Sequence, residues 1–248
     1  MTMCRCLHKV TVGRLLLTVV CLFLSGLCSA QYSKEQMYQA YVTQNMALWD
    51  AYLHHFDWKT LNNASRAEYI GYEYGYVAAA IDEKQPDAKQ HIDAFLAHIE
   101  AMEGVLPPST LLTYRSSHAA YRAKAYPFEF ASMGVKAMNM AKEAVQKDSL
   151  DVLALNLLGC VDFYAPALFG GSKERALKSF RTARRVYEER GDTVCNWNYT
   201  ASLMQMAMCL DKTGHTDEAV ALCRKMLAVD PDFRFIRDEY LPSLLKKK

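Results

Sequence analysis

Apolar and polar positions follow a helical period along almost the whole chain after residue 33. In the run from Tyr69 to Ile81, apolar residues recur three or four positions apart, and no stretch alternates with the two-residue period of a strand. Ser33 and Gln36 form a capping box that predicts a helix start, and Ser65 and Glu68 repeat it. The pattern therefore predicts an all-α fold of about nine or ten helices joined by short turns.

The last two predicted helices form the clearest hairpin. Gly214 permits the tight corner, and Ala219 is small enough for the second helix to approach the first closely, opposite Ala207. Pro231 ends the second helix because it cannot donate a backbone hydrogen bond. This arrangement resembles a tetratricopeptide repeat.

The resemblance is partial, and the repeats are irregular. Cys223 and Met226 stand where that repeat usually has an aromatic residue and an alanine. Three weaker copies precede this hairpin, and the anchoring alanines lie 49, 39 and 43 residues apart, whereas a regular array has a period of about 34. We expect an α-solenoid of antiparallel helical hairpins, built from degenerate tetratricopeptide repeats, as one domain over residues 31–248. The four anchoring residues are Ala88, Ala137, Ala176 and Ala219.

The corner between two of these helices is unusually long. Pro166 stops or bends the first helix, Gly170–Gly171 free the backbone to turn, and Ser172 caps the next helix. Two interpretations stay open from the sequence. The corner either packs Leu168–Phe169 against a neighbouring hairpin or forms the edge of a binding groove.

This corner, "YAPALFGGSKERALKSF", resembles one in exported tetratricopeptide-like proteins of Bacteroidetes, and it is similar to the extracytoplasmic T component associated with TRAP transporters. The stretches "YEYGYVAAAI", "NWNY" and "DPDFRFIRDEYLPSL" resemble the Bacteroidetes group too. The resemblance covers most of residues 69–244. It implies an α-solenoid in the periplasm or at the cell surface, and it implies no reaction.

Residues 1–30 have the layout of a secretory signal peptide. A basic start precedes the apolar run from Leu15 to Leu27, and Ala30 ends a small-x-small cleavage signal. We expect cleavage before Gln31, export across the inner membrane and no membrane span in the mature chain. An uncleaved anchor is the alternative, although the apolar run is short for a span.

Cleavage changes the charge and the cysteine count. It removes three of the 29 basic residues and none of the 27 acidic ones, so the mature net charge is −1. A near-neutral chain lacks the basic surface that nucleic acids require, so we expect no nucleic-acid partner. Four of the eight cysteines remain. Two interpretations stay open for Cys209 and Cys223: they form a disulfide, or they are free thiols that pack in the core.

No catalytic, metal or cofactor motif is present in the sequence. The chain has no zinc-protease, nucleophile-elbow, phosphate-loop or dinucleotide signature. His91 and His98 lie on one predicted helix face, where a solvated face is a simpler interpretation than a metal site. We therefore expect a non-enzymatic protein without a cofactor.

The leading functional hypothesis is an exported binding or scaffold protein that holds a protein or peptide partner in the cell envelope. In tetratricopeptide proteins the first helix of each hairpin lines the concave face, so the repeat phase selects the candidate groove residues. The alternative is an accessory of an envelope transport system that encloses a small apolar ligand. The candidate residues are Glu73, Arg122, Tyr126, Asn156, Phe163, Tyr164, Met204, Met208, Asp211 and Lys212.

Overall fold

The computed structural model describes residues 32–247, and the predicted signal peptide, residues 1–30, lies outside them. The described part of the chain is all-helical and contains no strand, which confirms the all-α part of the expected fold class. Its eleven α-helices are α1 (Lys34–Val42), α2 (Ala47–His55), α3 (Asn63–Asp82), α4 (Ala88–Ala101), α5 (Pro108–Ala125), α6 (Phe130–Lys147), α7 (Val152–Tyr164), α8 (Lys173–Arg190), α9 (Trp197–Lys212), α10 (Thr216–Val229) and α11 (Leu241–Leu245). Short 3₁₀ turns cover Trp58–Thr60, Pro127–Glu129 and Ala167–Phe169, and a π-helix covers Phe235–Tyr240.

Helices that follow one another along the chain pack against one another. The long helices pair as α3 with α4, α5 with α6, α7 with α8 and α9 with α10. In addition, α3 contacts α5, α5 contacts α7, and α7 contacts α9. The first helix of each pair therefore touches the first helix of the next.

Helix starts follow from local side-chain chemistry. The Ser33 capping box is present as expected, with the Ser33 hydroxyl accepting from the Gln36 amide. The second predicted box is wrong: α3 begins at Asn63, and the Asn62 side chain accepts from the Ser65 amide. An asparagine three residues earlier makes an equivalent cap, because its side-chain oxygen accepts from the N–H group three residues on, here that of Ser65.

The long corner has the backbone that its residues predict. Helix α7 ends at Tyr164, and Gly170 takes the left-handed conformation with φ of 87°. The Ser172 hydroxyl then accepts from the Arg175 amide and starts α8. A side chain at Gly171 would collide with the Ala165 carbonyl, so only glycine fits at this position of the corner.

The N-terminal helix packs against the end of the helix series. The Tyr38 hydroxyl of α1 lies 3.1 Å from Thr200 Oγ1 on α9 and donates to the Asp230 carboxylate just after α10. The Tyr41 ring lies 6.0 Å from the Phe233 ring, centroid to centroid. The α1–α2 hairpin thus bridges segments that are far apart in the sequence.

Two tryptophans complete this closure. The Trp49 ring of α2 lies 5.0 Å from the Trp197 ring of α9, and Trp197 lies 5.8 Å from Tyr74 of α3. A Cβ atom at Gly75 would lie 2.9 Å from Trp197 and closer still to Trp49. Because Gly75 has no side chain, α3 and α9 meet directly, and the helix series closes along this side.

The buried apolar residues form three clusters that share members at their edges. Tyr41 and Trp197 pack against both the C-terminal cluster and the cluster around α1–α3. Trp58 and Ile81 pack against both that cluster and the one between α3, α4 and α5. Through these shared residues the three clusters form one continuous apolar core within the described residues.

Candidate functional site

Glu73, a predicted groove residue, lies inside the α3–α4 hairpin. It is 2% exposed, and both carboxylate oxygens lie 2.9 Å from His98 Nδ1. Burial raises the pKa of Glu73, while the hydrogen bond and charge of His98 act in the opposite direction. The Trp58 ring stacks on His98 at 4.1 Å. The Glu73–His98 pair is therefore packed, and the expectation of a solvated His98 face is wrong.

Two other predicted groove residues are also buried. The Asn156 amide nitrogen lies 3.4 Å from the Tyr187 hydroxyl, between α7 and α8. Phe163 is 5% exposed, and the Lys173 ammonium lies 4.3 Å from its ring centroid. Neither side chain is placed on an open surface, because helix packing between α7 and α8 covers both.

Arg122 and Tyr126 interact with each other at the end of α5. Arg122 Nε lies 2.7 Å from Glu129 Oε2, and the guanidinium carbon lies 4.6 Å from the Tyr126 ring centroid. The hydrogen bond from Arg122 lowers the pKa of Glu129. Arg122, a predicted groove residue, thus already holds a carboxylate of this chain.

The remaining predicted residues lie close together on α7 and α9. Tyr164 is 60% exposed, and its hydroxyl donates to Gln205 Oε1 over 3.2 Å. Gln205 was not predicted, although its position three residues before Met208 places it on the same helix face. We call this set the α7–α9 surface. It consists of Tyr164, Met204, Gln205, Met208 and Lys212.

Asp211 adjoins this surface but has an internal role. Its side chain is 5% exposed, accepts from the Thr216 hydroxyl over 3.2 Å and pairs with Lys247. Asp211 therefore ties α9 to the start of α10 and to the end of the described chain, and it is not available to a ligand.

A second exposed surface lies at two hairpin corners. Leu168 is 89% exposed and Phe128 is fully exposed. Phe130 and Phe169 are 48% and 42% exposed, and their ring centroids lie 6.4 Å apart. The corner therefore does not pack Leu168 against a neighbouring hairpin, and Phe169 contacts only the edge of one. We call these four residues the corner patch.

Helices α6 and α8, which both begin at the corner patch, are strongly basic. Helix α6 carries three lysines and one glutamate, and α8 carries seven basic and three acidic residues. Each helix buries mainly one stripe of small and apolar residues and exposes the rest. A polar groove of about 530 Å³ follows α8, lined by Lys178, Arg181, Arg185 and His215 among others.

A smaller pocket of about 310 Å³ lies at the opposite end, beside Trp197 and the start of α9. Its lining includes Lys34 and Asp192, whose charged groups are 3.8 Å apart. These two charged groups of the lining therefore largely neutralise each other.

Metal-ligating side chains do not converge among residues 32–247. No cluster of three or more histidine, cysteine or acidic side chains there could hold a metal ion. Cys160, Cys195, Cys209 and Cys223 are free thiols. Burial raises the pKa of Cys209 and Cys223 to about 11, so these thiols stay protonated near neutral pH. The Cys209–Cys223 disulfide, which the sequence left open, is not formed.

None of the helices within the described ranges is both long and apolar enough to cross a bilayer. Comparisons with protein-family models, with curated proteins and with solved structures give no match to this chain.

Proposed function

We propose that this protein is an exported, non-enzymatic binding module of the bacterial cell envelope that holds a segment of another protein. The observation that carries this proposal is the α7–α9 surface. There an exposed tyrosine, two partly exposed methionines, an amide and a lysine occupy two packed helices.

The chemistry of this surface suits a peptide. Tyr164 offers a large apolar ring with a polar tip, and such residues are enriched where proteins bind one another. Met204 and Met208 have flexible, polarizable side chains that adapt to varied partners. Lys212 adds a cation at the end of α9 for an acidic residue or a carboxylate.

The packing of the helices supports a tetratricopeptide-like array. The two helices of each long pair follow one another in sequence and pack together, and successive first helices touch. A Cβ atom at Gly159 would lie 2.7 Å from the Phe180 ring, so this glycine allows the close approach of α7 and α8. The resemblance to exported Bacteroidetes proteins supports a periplasmic or cell-surface location.

The test is peptide selection by display against residues 31–248, followed by binding measurements on variants. We expect the double substitution Tyr164→Ala with Met208→Ala to weaken the affinity for a selected peptide by about tenfold or more. This is the effect expected when one or two contact residues are truncated. Tyr199→Ala, which replaces a partly exposed tyrosine near the start of α9 and outside the α7–α9 surface, is the matched control and should leave affinity unchanged. Selected peptides that bind both variants equally would overturn the proposed surface.

A small apolar ligand is the second candidate, and the closure through Trp197 favours it. Tyr41, Tyr74 and Tyr121 are only partly buried, and the Tyr74 and Tyr121 rings stack 6.2 Å apart near this closure. Native mass spectrometry of residues 31–248 separates the two proposals. Extra mass that is lost on denaturation would indicate a retained ligand and would promote the transport-accessory function, whereas an unliganded mass leaves peptide binding ahead.

A further inference from the structure

The corner patch shares no residue with the α7–α9 surface, on which the proposed peptide binding rests. Soluble monomers rarely expose large apolar side chains side by side, so a cluster of this kind marks an interaction surface. Here three phenylalanines and a leucine occupy the corners of two successive hairpins, α5–α6 and α7–α8. They are held there by the turn at Pro127 and by the left-handed Gly170.

The shape of the patch distinguishes between possible occupants. Phe128 and Leu168 project with almost their whole surface exposed, so no neighbouring side chain forms a wall beside them. A folded protein partner would need cavities that match these projections. A bilayer needs no such match, because its interface deforms around apolar side chains that enter it.

The surrounding charge points to the same occupant. Both helices that begin at the patch are basic, and together α6 and α8 carry ten basic and four acidic residues. The chain from residue 31 has a net charge of −1, so this excess is local. Basic residues beside an apolar insertion attract anionic lipid headgroups, each contributing on the order of 1 kcal/mol near the surface.

We propose that the corner patch docks this protein on an anionic bilayer surface. Phe128 and Leu168 enter the headgroup region, while Phe130 and Phe169 support them through their ring contact. Lys136 and Lys178, which are exposed on the second turns of α6 and α8, meet the lipid phosphates. No helix crosses the membrane in this arrangement.

The experiment measures vesicle binding by residues 31–248, which exclude the apolar run from Leu15 to Leu27. Flotation compares phosphatidylcholine vesicles with vesicles that also contain phosphatidylglycerol. We expect binding to the anionic vesicles and weaker binding at high salt. Phe128→Ser with Leu168→Ser should lower the partition coefficient by about tenfold or more, because each substitution removes apolar surface that the bilayer would bury.

The matched control replaces two exposed apolar residues away from the patch, Val194→Ser with Val229→Ser. This variant should bind vesicles within about twofold of the parent protein. Circular dichroism melting verifies that both double variants are folded, which their exposure predicts.

Two results would overturn the proposal. One is a parent protein that ignores anionic vesicles. The other is a corner variant that binds them as well as the parent, since charge alone would then explain binding. If the parent ignores vesicles and sedimentation shows a dimer that the corner variant loses, the patch is an interface between two copies. Peptide binding is proposed for the α7–α9 surface and is measured with different variants. A failure of vesicle binding can therefore be distinguished from a failure of the proposed function.

Discussion

Single residues decide where two helices can touch, and Gly75 is the clearest case. It is the point on α3 where the Trp49 and Trp197 rings both rest on the backbone. The sequence did not show this role, because a glycine within an aromatic run of a helix is equally compatible with a position that no other helix contacts. The contact involves residues that are more than a hundred positions apart in the chain.

We expect Gly75→Ala to lower the free energy of unfolding by about 1–3 kcal/mol, because the added methyl group overpacks the two indole rings. Urea denaturation measures the change. Gly134→Ala is the matched control, since Gly134 is helical with no atom within 4 Å of the added Cβ. That substitution should stabilise by about 0.5–1 kcal/mol through helix propensity. A neutral Gly75→Ala would mean that the tryptophans do not hold α3 against α9.

Several candidate residues were also misplaced at this scale, and for one physical reason. The repeat phase identifies which helix position a residue occupies, but it does not show whether a later helix covers that position. Glu73, Asn156 and Phe163 occupy first-helix positions and are buried by neighbours. Tyr164 lies at the end of α7, beyond the covered part, and is exposed.

Among the elements, α1 is the one whose place the sequence did not predict. Its capping box predicted that a helix begins at Lys34, and periodicity predicted an amphipathic element. Neither signal identifies the partner, because the partner is chosen by long-range packing. The hydrogen bonds of Tyr38 to Thr200 and Asp230 fix α1 against α9 and the residues after α10.

Tyr38→Phe tests this docking. We expect the free energy of unfolding to fall by about 1–3 kcal/mol, because Thr200 and Asp230 lose a partner in a largely buried setting. Chemical denaturation of the purified variant gives the value. Tyr199→Phe removes an exposed hydroxyl that contacts Glu188 and should change stability by less than about 0.5 kcal/mol. Equal effects of the two substitutions would contradict the docking role of Tyr38.

At the level of the whole molecule, the fold class followed from periodicity, whereas the closure of the helix series did not. The long corner was visible as a Pro–Gly segment, while the alanine spacing predicted degenerate repeats. The apolar residues in the turns at Phe128 and Leu168 were a readable signal of an exposed patch. For Leu168 the sequence left packing and the edge of a groove both open, because a turn of apolar residues often packs inward, and Phe128 was not singled out.

A continuous core predicts a single cooperative unfolding transition for the described residues. Trp49 and Trp197 lie at the closure and Trp58 stacks on His98 of α4, so tryptophan fluorescence reports on α1–α4 and α9, while circular dichroism reports on every helix. The two signals should change at the same urea concentration. An earlier fluorescence transition would show that the N-terminal hairpin separates from the rest before global unfolding.

The docking of α1 also has a consequence for how the chain acquires its structure. Tyr38 bonds with residues 162 and 192 positions further along. A chain synthesised, and on our proposal exported, from its N-terminus presents α1 first and the partners of α1 last. Pairings of such long sequence separation form slowly and leave apolar surface exposed meanwhile. On that proposal, α1 needs protection from proteases and from aggregation until nearly the whole chain has been translocated.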